Sequence, residues 1–243
     1  MKQDKAYKVL AKQEGISNSK AKDLIDDGLV FVGDKKLRIA RGMINVNSTF
    51  KIVKRTDIKK IFEDENIIVV NKPNSVTSES VIQKFKDASL LHRLDKDTSG
   101  VMVLTKNEEF RVKAIGEFKQ KRVYKEYVAV VEGRIVEEVK IDQPIETKKG
   151  SVARSFISLK GKDALTTVSP VAMIGKKTKL KVIIDTGRTH QIRVHLSSIG
   201  YPILGDDTYG SGMRAKRLML HSKKISFLDY SFEVKEPKEF ENF

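Results

Sequence analysis

The chain contains no cysteine, which excludes disulfide bridges, thiolate nucleophiles and cysteine-based zinc sites. It also lacks long hydrophobic runs: Ile67-Ile68-Val69-Val70 is strand-sized and far short of a membrane span. The first fourteen residues are dominated by Lys, Gln, Asp and Glu, without the apolar stretch of a secretory signal. No Gly-x-Ser-x-Gly elbow occurs, and no glycine-rich loop ends in Lys followed by Ser or Thr, so serine hydrolase and nucleotide-kinase chemistry find no support. A cytoplasmic protein with no membrane association is the expectation.

Acidic residues are the minority charge, 32 Asp and Glu against 47 Lys and Arg, for a net +15 over 243 residues. So large an excess implies an extended polyanion as partner, and nucleic acid leads the candidates. The length suffices for one large domain, or for a small domain followed by a medium one.

Residues 1–55 read as a helix-helix-hairpin unit. Tyr7, Leu10 and Ala11 recur at helical spacing until Gly15, and Ser17 or Ser19 can cap a second helix that Gly28 ends. Leu29 to Val32 follows as a strand with Gly33-Asp34 as its turn. Gly15 to Val30 resembles the core of the S-four-type RNA-binding domain, although the usual Arg-Leu-Asp opening is missing. The basic stretch Lys51 to Lys60 is expected to carry the last strand of this unit and a linker. Beyond it, Ile67–Val70, Val101–Thr105, Tyr127–Val131 and Leu180–Ile184 read as buried strands, and Phe110, Ala114, Ile115 and Phe118 have helical spacing. Residues 60–243 are therefore expected to form a larger α+β domain. Lys148 and Lys149, Lys160 and Lys162, and Lys176, Lys177 and Lys179 fall at expected loops, where a basic face can follow a phosphate backbone.

Two segments concentrate chemistry. In His92-Arg93-Leu94-Asp95-Lys96-Asp97-Thr98-Ser99-Gly100, the positive charge beside Asp95 favours its ionised form, which suits a nucleophile or base better than a proton donor. In Gly187 to His195, Thr189 is expected to cap a helix that Gly200 stops, with Ile192, Leu196 and Ile199 on its apolar stripe and His190, Arg193 and Ser197 on another face. Arg193 would then be partly buried and in need of a carboxylate, and Asp95 is the partner to expect. His190 and His195 are five residues apart, not the four that set two ligands on one helix face, so no metal site is expected. An ionised Asp, an Arg to orient it and a tyrosine as proton carrier suffice for a cofactor-free reaction at a base.

His92 to Gly100 resembles the His-Arg-Leu-Asp-x-x-Thr-Ser-Gly motif of the RluA-type pseudouridine synthases, and Gly187 to His195 resembles their Gly-Arg-Thr-His-Gln-Ile-Arg-Val-His. Glu65 to Pro73, Lys125 to Gly133, Gly200 to Gly210 and Leu218 to His221 continue the resemblance in the same order. It implies a mixed, mainly antiparallel sheet flanked by helices, and isomerisation of uridine to pseudouridine in RNA without cofactor or metal. Carried onto this chain, it implies Asp95 as the catalytic aspartate, by attack at the anomeric carbon or by removal of a ribose proton. Tyr127 stacks on the uracil and helps remove the proton at carbon five, Arg193 pairs with Asp95, and Arg93 assists extrusion of the uridine. Arg188, His190 and Gln191 are candidate RNA contacts, and Leu220 an apolar wall of the pocket. Large-subunit ribosomal RNA is the favoured partner and transfer RNA the other possibility, with the protein acting as a monomer. The rival classes are a non-catalytic RNA-binding or ribosome-assembly protein and an RNA-directed hydrolase that would release free uracil.

Overall fold

The apolar runs become central strands because both of their faces are covered. The computed structural model describes all residues except 1, 34, 54–56, 149, 151–152 and 214. The turn residue Asp34, Lys54 to Thr56 of the basic connector, and Lys149 therefore lie outside the described residues. The chain divides into two units, Met1–Asp57 and Ile58–Phe243.

The first unit contains β1 (Gln3–Lys5), α1 (Ala6–Glu14), α2 (Asn18–Asp26), β2 (Val30–Val32), β3 (Lys35–Lys36), β4 (Met43–Asn45) and β5 (Phe50–Ile52). Gly15 closes α1 in the left-handed conformation, and the Ser17 hydroxyl caps α2 by accepting from the Lys20 N–H. Ala6, Leu10, Ala21, Ile25 and Val30 form its own small core. The expected connector divides: Lys51 ends up in β5, whereas Lys59 and Lys60 open the first strand of the second unit.

The second unit continues with β6 (Lys59–Glu63), β7 (Ile67–Lys72), α3 (Ser78–Lys84), β8 (Ser89–Leu90), β9 (Ser99–Thr105), α4 (Glu108–Lys119) and β10 (Tyr124–Glu132). Then come β11 (Val139–Asp142), β12 (Ile145–Lys148), β13 (Arg154–Ile157), β14 (Leu165–Ile174) and β15 (Lys177–Ile184). The last elements are α5 (Gln191–Ser198), β16 (Leu220–Phe227) and β17 (Tyr230–Glu233). The main sheet runs β11-β14-β15-β10-β16-β9-β7-β6, with β17 paired to β16 and β8 to β9. β16 is parallel to β9, and the other described pairings of this sheet are antiparallel. The fold is α+β with a mixed, mainly antiparallel sheet.

Alternation sorts the strands between two cores. Ile67, Val69, Val101 and Val103 pack with Ala114 of α4, while Ile68, Val70, Met102 and Leu104 pack on the opposite side with Val81 of α3 and with Ile192 and Leu196 of α5. A strand buried on both faces reads as a continuous apolar run, which is how β7 and β9 look in the sequence. Among the described residues, no helix is long and apolar enough to cross a membrane.

Candidate active site

Asp95 lies in the loop between β8 and β9, and that loop is held from three sides. The Ser78 hydroxyl, at the start of α3, accepts from the Leu94 N–H at 3.2 Å and donates to the Leu94 carbonyl at 3.0 Å. Lys72, fully buried at the end of β7, donates to the carbonyls of Pro73, Val76 and Lys96 at 3.1, 2.6 and 3.0 Å. Burial pushes the Lys72 ammonium down to about 7, against the pull of Asp97 and Asp95. After the loop, Gly100 sits at φ +119, and a Cβ there would stand 2.0 Å from the Ser222 carbonyl oxygen. Only glycine lets β9 approach β16 this closely.

That approach brings Tyr127 to the same place, because Ser222 of β16 opposes both Gly100 and Tyr127. The register of β10 against β16 shifts between Glu126 and Tyr127, and such a bulge re-aims the side chain that follows it. Tyr127 is buried, and burial, with Asp95 adding to it, raises its phenol pKa, so it stays protonated.

Arg193 approaches from α5 and is also buried. Its Nη1 donates to Asp95 Oδ2 at 3.3 Å, while Nε and Nη2 donate to Asp206 at 2.7 and 2.9 Å. The expected pair with Asp95 is present as a single bond, and the two-pronged bond belongs to Asp206. Asp206 also accepts from the N–H groups of Thr208 and Tyr209. Burial alone would raise the Asp206 carboxyl, but the Arg193 bonds and charge and these two N–H groups bring it below its ordinary value. Burial likewise opposes the Arg193 charge, yet Asp206 and Asp95 outweigh it and the net shift is upward. The Tyr209 ring packs against the guanidinium, 5.1 Å from its carbon.

Two expectations about this helix are corrected. It starts at Gln191 with His190, not Thr189, immediately before it, and His190 makes no side-chain cap bond. The cause is Gln191, whose side-chain oxygen accepts from the Thr186 hydroxyl and the Arg188 N–H and tightens the preceding turn. Its amide nitrogen donates to the Leu165 carbonyl and the Thr166 hydroxyl. With two bonds to each end of its amide, buried Gln191 has no donor left for RNA and serves to shape the turn.

Around Asp95, Tyr127 and Arg193 opens a cleft whose rim and walls include Arg93, Arg188, His190, Ile192 and Leu220. Leu220 and Ile184 supply apolar wall. Arg93 is 71% exposed and pairs with Glu79 at 2.7 Å. Arg188 gives its Nε to the Asp163 carbonyl. His92 and His195 are structural: His92 Nε2 accepts from the Val103 N–H, and both His195 nitrogens are bonded, to Thr166 and to the Gln143 carbonyl. No cluster of three His, Asp or Glu among the described residues could hold a metal ion.

A family model described as RNA pseudouridylate synthase matches residues 82–198, a span that includes Asp95, Tyr127 and Arg193. An uncharacterized RNA pseudouridine synthase of Helicobacter pylori J99 is 52% identical over 240 residues, 98% of this chain and 99% of its own. The chain belongs to the RNA pseudouridine synthase family. Ribosomal large subunit pseudouridine synthase D of Pasteurella multocida is 28% identical over 82% of this chain and 70% of its own length. Among solved structures, human RNA Pseudouridylate Synthase Domain Containing 1 superposes with a TM-score of 0.64 at 29% identity, over 74% of this chain and 83% of that one. As a pseudouridine synthase the protein is an isomerase acting on uridine in RNA. Its cleft brings together the Asp95 carboxylate, the Tyr127 ring, the apolar side chains of Leu220 and Ile184 and the Arg193 guanidinium.

Asp206, Lys72 and Tyr209 escaped sequence reasoning. Gly205-Asp206-Asp207 looks like a surface turn, and a lysine after a strand looks solvated. The signal available was Arg193 itself, since a buried bidentate guanidinium calls for a carboxylate held still.

Proposed function

We propose that the protein isomerises uridine in structured RNA, with large-subunit ribosomal RNA as its substrate, and that Asp95 is the catalytic aspartate. The observation that carries this is the convergence of Asp95, Tyr127 and Arg193, from three separate segments, on one cleft. Asp95 acts on the ribose, at the anomeric carbon or on an adjacent proton. Tyr127, neutral and buried, packs on the uracil face and takes part in removing the carbon-five proton. Arg193 aims Asp95. Arg93 and Arg188 engage the RNA at the rim, and Arg93 assists extrusion of the nucleotide, a step that costs a few kcal/mol.

Residues 1–55 act as an S-four-type RNA-binding domain attached to the catalytic domain, residues 60–243, and the protein works as a cytoplasmic monomer. Ribosomal RNA is favoured over transfer RNA by the added amino-terminal unit and by the likeness to relatives named for the large ribosomal subunit. The decisive experiment maps pseudouridines in total RNA from cells with and without the gene. Sites lost from large-subunit ribosomal RNA are the expected result. Loss confined to transfer RNA overturns the substrate, and loss of none overturns the activity.

A further inference from the structure

We propose that His190 donates a hydrogen bond to the uracil O2 and holds the negative charge that builds there as the glycosidic bond breaks. This rests on the reading of the cleft as the uridine site. His190 occupies the left-handed region, at φ 54 and ψ 22. A non-glycine residue adopts that conformation only at a cost in backbone strain, and such strain collects at functional sites. The conformation does not cap the helix, since the side chain makes no cap bond. It turns the imidazole toward the cleft, where Nε2 comes within 3.9 Å of Asp95 Oδ2.

The hydrogen-bond network sets the tautomer. Tyr209 Oη accepts from the Ser155 N–H at 2.9 Å, and it lies 2.8 Å from His190 Nδ1. Burial raises the Tyr209 phenol, so it stays protonated, and with its oxygen already accepting from the Ser155 N–H its O–H is the group left to donate a hydrogen bond to Nδ1. The imidazole proton is then on Nε2, on the Asp95 side. Burial, despite the nearby Asp95 charge, keeps the ring below its ordinary pKa and therefore neutral at pH 7. At 3.9 Å the Nε2–H is beyond hydrogen-bond reach of Asp95, so its proton remains available to a ligand. Arg193 is already committed to Asp206 and Asp95.

Whichever way Asp95 acts, the electron pair of the C1′–N1 bond moves into the uracil ring and spreads onto O2 and O4. O2 is the ring oxygen nearest C1′, hence nearest Asp95 and His190. The imidazole keeps its proton throughout. Attack of carbon five on C1′ uses that electron pair to form the new bond and returns Asp95 as a carboxylate, freed from C1′ or having given back the ribose proton. The carbon-five proton then passes to N1, leaving neutral pseudouridine. A preorganised donor at developing charge in a half-buried site is typically worth about a hundredfold in rate.

The test measures single-turnover rate and equilibrium affinity on large-subunit ribosomal RNA transcribed in vitro, containing either uridine or 5-fluorouridine. Loss of the starting nucleoside is read by mass spectrometry for wild type, His190→Gly and His190→Gln, because carbon five of 5-fluorouridine carries no proton and that nucleoside cannot end as pseudouridine. Glycine accepts the left-handed backbone, so its effect reports the side chain, and glutamine returns an N–H near the position of Nε2. The glycine variant should lose about a hundredfold in rate with affinity within about twofold, glutamine should recover most of it, and fluorine, which draws off charge, should shrink the defect. A rate loss matched by affinity loss, equal in the two variants, or undiminished on 5-fluorouridine overturns the proposal. No pseudouridine from the wild-type enzyme on this RNA or on transfer RNA transcribed in the same way overturns the reading of the cleft, and the role of His190 with it.

Discussion

Arg193 commits two of its guanidinium hydrogen bonds to Asp206 and one to Asp95. Asp206 is the more deeply buried carboxylate and accepts two further backbone N–H groups, so it acts as the fixed end and Asp95 as the working end. Arg193→Lys keeps the positive charge but cannot hold both carboxylates in one plane. Its single-turnover rate should fall steeply with little change in RNA affinity. Asp206→Ala leaves the buried guanidinium without its main partner and should cost about 3–5 kcal/mol of stability in urea unfolding. Equal losses of rate and affinity in Arg193→Lys would make Arg193 a phosphate contact instead.

Asp95→Asn nearly preserves size but can neither attack carbon nor accept a proton as a carboxylate does. The variant should fold, bind RNA and release no tritium from uridine labelled at carbon five. Near-normal release would remove Asp95 from the chemistry.

Much of this was legible in the sequence, for identifiable reasons. β7 and β9 announced themselves because burial on both faces demands unbroken apolar runs, and α2 because Ser17 sits where a cap must. Most residues lining the cleft lie in two dense motifs, whereas Tyr127, Ile184 and Leu220 come from separate strands. What stayed hidden depends on contacts between distant segments. Thr189 looked like the cap of α5 because nothing local shows that Gln191 draws Thr186 and Arg188 together. Asp206 and Lys72 were not singled out because their partners lie in segments that only the folded sheet brings near.

Residues 58–243 have cores of their own, as does the first unit. Deleting residues 1–55 should therefore leave a protein that melts cooperatively by circular dichroism, with weaker RNA binding or altered choice of site. Binding by the full chain should weaken steeply with salt, because lysine and arginine contacts to phosphate release counterions. An unfolded truncation product would show that the catalytic unit depends on the first.

Gly100→Ala puts a methyl group within 2.0 Å of the Ser222 carbonyl oxygen at a φ of +119. The backbone strain alone costs about 1–3 kcal/mol, and β9 must also move away from β16. Because Ser222 also faces Tyr127, that movement pulls the Asp95 loop away from the ring it opposes. Activity should fall even at temperatures where the variant remains folded, a split read by comparing rate with near-ultraviolet circular dichroism. A variant with normal rate and melting temperature would show that the β9–β16 contact yields without consequence.

His92 and His221 contribute to the pH dependence of stability below neutrality, and Lys72, pushed down to about 7 by burial, adds in the same direction near neutrality. Burial pushes both histidines down to about 4; His92 Nε2 accepts from the Val103 N–H, and His221 Nδ1 shares a hydrogen bond with the Ser99 hydroxyl, which itself accepts from Arg217. In the unfolded chain each histidine titrates near ~6.5. Between that value and about 4 the unfolded chain binds protons that the native protein refuses, so their contribution to stability is fully present above ~6.5 and falls as pH drops through the window. Each histidine contributes a slope of at most about 1.4 kcal/mol per pH unit. His190 and His195 are also shifted down, mainly by burial, and add in the same direction. The double variant His92→Gln, His221→Asn keeps acceptors near the two nitrogens but removes their titration. Urea midpoints compared at several pH values from 7 to 5 should then show a flatter decline than wild type, and an unchanged slope would mean that these two rings take up protons without unfolding the protein.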